Sequence, residues 1–232
     1  MTKGTFSIKK ILILVTILAV PGFLYYLLTE KGKNRYKPLG IYGPKALTGT
    51  FHTVRGNKVP DTLYHTIQSI QLKDQDDKPV NVLPDTNHIT VFNFFFTRCN
   101  SFCKHMNTEM GGIAKLYINN NLVKFVSITV DPTYDTPSIL KQYSKQYHIG
   151  ASKWKFLSGD EQAIHKLARE SFLVDAFRDT SKSNNFIHSS KLILVDPKGR
   201  IRGYYDAADK EQLEKLVDEI KVQITEELRK IK

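Results

Sequence analysis

The longest uncharged stretch of the chain is ILILVTILAVPGFLYYLL, Ile11–Leu28. At about 1.5 Å per residue, eighteen residues reach roughly 27 Å, close to the thickness of a bilayer core. Pro21 and Gly22 inside it are tolerated in membrane helices, and Tyr25 and Tyr26 suit a membrane–water interface. The run exceeds a signal-peptide core and no A-x-A site follows, so residues 1–30 read as a short tail and an uncleaved anchor rather than a cleaved signal. Basic residues flank both ends about equally, so their count does not orient the segment. A tail of about ten residues is easily retained inside, which favours export of the rest.

Residues 31–60 show no sustained apolar period and are rich in Lys, Gly, Pro and Thr. They read as a tether holding a short strand or two. From Asp61 to about residue 228 the pattern becomes regular. LYHTIQSIQL holds a strand and DQDDKP a turn. HITVFNFFF, residues 88–96, is a near-continuous apolar run of β-branched and aromatic residues, which predicts a strand buried on both faces. A helix follows over 104–118, stopped by Asn119–Asn121, and LVKFVSITV (122–130) predicts a second buried strand. Thr136 and Pro137 open the next helix and Gly150 closes it. WKFLSG is a short strand, and Asp160 caps the helix after it. KLILVDPKGRIRGYY predicts a hairpin turning at Pro197–Gly199. Leu213, Leu216, Val217, Ile220 and Ile224 keep helical spacing on a terminal amphipathic helix.

Strands alternating with helices, then a hairpin and a last helix, predict an α/β layer on a central mixed sheet flanked by helices. The order is that of a thioredoxin-like fold with an insertion.

A composition of 41% hydrophobic and 25% charged residues belongs to a globular protein, and 232 residues fit one or two domains. The net charge of +11 invites a nucleic-acid partner, but its distribution argues against one. Residues 1–37 carry seven basic residues against Glu30 alone, a net +6, leaving +5 for the other 195. The excess flanks the apolar segment, where anionic lipid is the natural counter-charge, so the expected partners are membrane lipid through residues 11–28 and no nucleic acid.

Two cysteines, Cys99 and Cys103, are the only ones in the chain, and both fall in FNFFFTRCNSFCKHM directly after the buried strand. At the start of a helix, free amides and the positive helix end stabilise a thiolate, and Arg98 would add to this. A structural disulfide is a weak reading, because a loop this short yields little unfolded-state entropy. Three intervening residues differ from the two of a dithiol oxidoreductase, yet the sulfurs can still meet. Two thiolates can equally chelate one ion, with a third ligand from elsewhere; thiolates plus one imidazole suit Cu(I), whereas zinc wants a fourth ligand. Of seven histidines, His188 stands apart: it lies just before a core strand, and in a thioredoxin-like layout that loop end sits beside the first helix's N-terminus. Met106 and Met110 continue the helical spacing from Cys103 and read as core fillers.

Three separated segments together resemble the Sco (SenC) family of copper-binding, thioredoxin-fold proteins, over about residues 60–225. FFFTRCNSFC is similar to the family's buried strand and C-x-x-x-C loop, SITVDPTYDTPSILKQY to its Val-Asp-Pro…Asp-Thr-Pro segment, and FIHSSKLILVDPKGRIRGYYD to its histidine loop and hairpin. The resemblance implies Cys99, Cys103 and His188 as ligands of a single copper ion, Cu(I) or Cu(II). It implies delivery of copper to the copper-accepting subunit of a respiratory haem-copper oxidase, or reduction of that subunit's cysteines, in assembly of the binuclear copper centre. It also implies a single-pass anchor in the cell inner membrane with the soluble domain on the periplasmic side. A thiol–disulfide reductase and a copper or redox sensor are the alternatives. Asn100 and Lys104 stand where the family has proline after a cysteine, which loosens the loop. Ile187 stands where it often has Asp before the histidine, so an orienting carboxylate is missing unless Asp131 supplies it. Asp131 reads equally as the residue that caps or turns the strand end.

Overall fold

The computed structural model describes residues 8–27, 38–54, 56–83, 87–99, 102–179, 185–188 and 190–230. The chain divides into two units, residues 1–37 and 38–232. In the first, α1 (Ile8–Tyr26) is a 19-residue helix that passes through Pro21. It is long and apolar enough to cross a membrane, and none of its described side chains is buried.

The second unit is built on a sheet of seven strands among the described residues: β3 (Gln71–Asp74), β4 (Pro79–Asn81), β5 (Ile89–Phe95), β6 (Val123–Thr129), β7 (Trp154–Ser158), β10 (Lys191–Val195) and β11 (Ile201–Asp206), in the order β11-β10-β5-β6-β7-β3-β4. The central three run parallel, and β10 and β3 flank them antiparallel. Every residue of β5 is buried, as its unbroken apolar run requires. One face of the sheet packs on α2 (Phe102–Leu116), α3 (Pro137–Ser144) and α5 (Lys210–Lys230) through Met106, Met110, Leu140, Leu216 and Ile220. The other face packs on Ile164, Leu167 and Phe172 of α4 (Glu161–Lys166) and the wider π turn that extends it. This is the thioredoxin-like α/β arrangement with a mixed sheet between helices.

Local signals translate directly. Thr136 Oγ1 accepts from Ile139 N and Pro137 opens α3; Asp160 Oδ1 accepts from Ala163 N at the start of α4. The hairpin β10–β11 turns where Gly199, at φ +74°, donates to Asp196 O, and Asp196 Oδ1 takes the amides of Lys198 and Arg200. Two details differ from expectation. Gly150 does not end α3: the helix stops at Ser144, a 3₁₀ turn carries it on, and His148 at φ 55° terminates it. Residues 63–72 do not make one strand, since Leu63 and Tyr64 end β2 (Asn57–Tyr64) and only Gln71 and Leu72 begin β3.

Within the described part of 31–60 the expected strand or two is present as a long pair. β1 (Lys45–Val54) and β2 (Asn57–Tyr64) pair as an exposed antiparallel hairpin. Upstream of it, Leu39 N donates to Glu226, the buried Arg202 donates to the carbonyls of Leu39 and Gly40, and Tyr42 N donates to Ile201 O. β8 (Ala176–Asp179) and β9 (Asn185–His188) form a further two-stranded sheet inserted before β10.

Candidate metal centre

Where β5 ends, the chain is gripped by the turn that follows β6. Asp131 O receives the amides of Tyr134 and Asp135, so Asp131 does turn the strand end. Asp135, fully buried, then faces back: its carboxylate accepts from Thr97 N at 3.0 Å, from the Thr97 hydroxyl, and from Thr129 Oγ1 at 2.5 Å. Burial pushes the Asp135 carboxyl above its ordinary value, and these hydrogen bonds oppose the shift. Asp135 thereby pins residue 97, two positions before Cys99, to the central sheet.

Arg98 does not serve the cysteines as its position suggests. Its Nη2 donates to Asp131 Oδ2 at 2.5 Å and its guanidinium lies 4.1 Å above the Tyr134 ring. The positive charge is matched by a carboxylate that is itself only 4% exposed, so its effect on a thiolate is largely cancelled.

The two sulfurs converge at the head of α2. Cys103 N donates to Cys99 Sγ at 3.4 Å, which gives Cys99 one of the free amides of the helix's first turn. Cys99 is half-buried, whereas Cys103 is 1% exposed and packs with Phe95, Met106, Met110 and Leu140. The Cys103 thiol is hydrogen-bonded to Cys99; that bond and then burial hold it protonated far above the ordinary thiol range, against the Phe96 amide. Met106 and Met110 are completely buried in this core, the gap-filling role their spacing predicted.

Beneath the pair runs a polar ladder that sequence reasoning missed. Asn93 Nδ2 donates to Asn107 Oδ1 at 2.6 Å, Asn107 Nδ2 to the Tyr143 hydroxyl at 3.1 Å, and the Tyr147 hydroxyl to Tyr143 at 3.0 Å. Burial raises the Tyr143 phenol, and the neighbouring sulfurs add to the shift. The available signal was Asn93, one amide in an otherwise apolar buried strand. For Asp135 it was a second carboxylate four residues after Asp131, inside a segment already singled out.

His188 closes β9 opposite Ala176, and its imidazole lies outside what the structure describes. Its backbone neighbourhood is described. β10 runs antiparallel to β5 with Ile193 opposite Phe92, so the chain enters β10 at the sheet end where β5 leaves for the cysteines. Ser190 O accepts from Ala207 N, and Ala207 O lies 3.1 Å from His105 Nε2 on α2. Residue 190 is thus linked through one residue to the helix turn that carries Cys103. Asn100 lies outside the described residues, and Lys104 is exposed. Among the described residues, no three His, Cys, Asp or Glu side chains converge as a ready-made metal cluster. The donor set itself, two adjoining soft sulfurs held by a buried frame, fits a thiophilic ion such as Cu(I).

Comparison with known proteins identifies the family and the fold. The SCO1/SenC family model matches residues 60–225. A SCO2-like protein of Rickettsia prowazekii (strain Madrid E) is 31% identical over 219 residues, covering 90% of this chain and 95% of the relative. Among solved structures, BsSco, a member of the Sco family of cytochrome c oxidase assembly proteins with an identified disulfide switch, superposes with a TM-score of 0.61 at 26% identity, over 69% of this chain and 94% of that one. ScoI of Bradyrhizobium japonicum, solved with copper bound, superposes at 0.55 and 25% identity, over 65% and 97%.

Proposed function

The chain belongs to the SCO1/SenC family, and from that premise we propose that it binds one copper ion through Cys99, Cys103 and His188 and delivers it to the copper-accepting subunit of a respiratory haem-copper oxidase. The observation that carries the reading is the meeting of the two sulfurs at the head of α2, on a loop clamped by Asp131 and Asp135. A solved relative holds copper and another is a cytochrome c oxidase assembly protein. Cu(I) binding displaces a proton from each thiol, and a neutral imidazole completes a three-coordinate site. Cys99 is the accessible sulfur and the one from which exchange with an acceptor's thiolates begins. Asp131 acts through Arg98, holding the loop residue next to Cys99. Helix α1 anchors the chain once in the inner membrane, with residues 61–228 as the copper-binding domain on the periplasmic side.

The test is copper stoichiometry and absorption on the full chain, alongside Cys99→Ser and His188→Ala. One copper per chain, with an intense thiolate-to-Cu(II) band lost in both variants, is the expected result. Substoichiometric copper, or an unchanged His188→Ala, overturns the reading.

The Cys103–Cys99 hydrogen bond supports a second reading, a thiol–disulfide reductase. The Cys99 thiolate would attack a target disulfide and release one target thiolate. Cys103 would then attack the mixed disulfide at Cys99, releasing the second thiolate, so the target gains two electrons and the pair becomes a disulfide. Exchange that stays fast in His188→Ala favours this reading.

A further inference from the structure

At the opposite end of the parallel strands from the cysteine loop lies a cavity of about 230 Å³, lined in part by Thr90, Lys124, Phe125, Val126, Lys153 and Lys155. The register explains why these residues meet. Thr90 on β5 is opposite Lys124 on β6, and Val126 is opposite Lys155 on β7, so the four share one sheet face near the strand starts.

The charge balance of this cavity is unusual. Lys155 Nζ has a carboxylate partner, Asp74, at 2.9 Å. Lys153, only 6% exposed, donates to the carbonyls of Asn120 at 2.5 Å and Val123 at 2.9 Å. Lys124 Nζ donates to Ser152 O at 2.8 Å. Among the described residues, no carboxylate touches either Lys124 or Lys153. Holding the carbonyls after α2 accounts for burying Lys153, but not for setting a second ammonium near it without a counter-ion. Burial and then the charge of Lys124 lower the Lys153 pKa. Thr90 is 5% exposed, and its hydroxyl makes no hydrogen bond among the described residues. An ammonium has three protons, so Lys153 retains one donor and Lys124 two, beside a free hydroxyl and the apolar walls of Phe125 and Val126.

We propose that this cavity is an anion site for one small oxyanion, inorganic phosphate or a short carboxylate, held by Lys124, Lys153 and the Thr90 hydroxyl. The volume sets the size class. A water occupies about 30 Å³, so the space suits a tetrahedral oxyanion with a few waters. It falls below the roughly 300–1,000 Å³ of sites for drug-sized ligands, which excludes a nucleotide. Five residues of strand separate Thr90 from Phe95, about 17 Å, so an anion here does not reach the thiols.

The experiment is calorimetric titration of the full chain in detergent micelles with inorganic phosphate and, separately, acetate, chloride holding the ionic strength constant. One saturable site per chain is expected, with affinity falling about tenfold or more in Lys124→Gln and in Thr90→Val. Thr90→Val keeps the volume of a buried side chain and Lys124→Gln leaves the Lys153 contacts in place, and an unchanged melting temperature in buffer verifies the fold; if one variant fails that check, the other decides. Absence of saturable binding by either anion overturns the proposal, as does unchanged affinity in a folded variant. Attachment to phosphatidylserine vesicles without binding of free phosphate also overturns it, because the site would then read lipid rather than a soluble anion.

Discussion

Replacing Asp135 tests whether the cysteine loop is held by the turn that follows the neighbouring strand β6. Asp135→Ala leaves three donors without their acceptor: the Thr97 amide, the Thr97 hydroxyl and the Thr129 hydroxyl. The hydroxyls can rotate toward other acceptors, but the amide cannot. An unsatisfied buried donor costs about 1–3 kcal/mol, and the vacated space adds to that. Removing a carboxyl whose own burial is unfavourable offsets part of the loss. A net destabilisation of about 2–3 kcal/mol is expected, which for a domain of this size lowers Tm by roughly 4–12 °C. Asp135→Asn keeps an acceptor for the Thr97 amide and should cost about 1 kcal/mol. The assay is urea unfolding of the metal-free protein, paired with Cu(I) affinity measured by competition with a chromophoric chelator. Copper affinity should fall at least about tenfold in Asp135→Ala, about 1.4 kcal/mol, with partial recovery in Asp135→Asn. The raised carboxyl adds a pH signature. Measured against the non-titrating Asn variant, the wild type's relative stability is greatest below about pH 4, the unfolded carboxyl's range. It declines as pH rises through the elevated folded value. Unchanged copper affinity in a destabilised Asp135→Ala would show that Asp135 serves folding alone. Unchanged stability would refute the buried-acceptor reasoning altogether.

Two further outcomes test the same structure elsewhere. Arg202 is buried against Asp196 and Glu226 while holding the carbonyls of Leu39 and Gly40, so Arg202→Met should destabilise by about 3–5 kcal/mol in urea unfolding. It should also speed proteolytic cleavage near residue 40; resistance equal to wild type would show that the 38–42 segment is held by other contacts. Brief iodoacetamide treatment of the native, reduced protein should label half-buried Cys99 well ahead of buried Cys103 by peptide mass spectrometry, and equal labelling would contradict the burial and protonation assigned to Cys103.

The fold was legible because its signals are local. Period and caps placed β5, β6, α2 and α5 within a few residues, and the strand-loop-helix setting of Cys99 and Cys103 follows from adjacent sequence. Gly150 misled because a 3₁₀ extension let His148 take the left-handed position first. In segment 31–60 the sequence allowed a strand or two, but the length of the β1–β2 pairing and the ties of Leu39 to Arg202 and Glu226 depend on partners that its linker-like composition does not reveal.

The sequence by itself determined the apolar first helix, the α/β order, the family and the pairing of the chain's two cysteines directly after a buried strand. Only the tertiary structure decided which thiol is accessible, that Arg98 is matched by Asp131 rather than lent to the cysteines, and that Asp135 anchors the loop. It also decided that β10 lies beside β5, so that the chain enters β10 at the sheet end from which the cysteine loop departs. The physical reason is common to all of these. Periodicity reports which side of an element is apolar, whereas burial, charge pairing and pKa depend on which distant residue fills the space opposite.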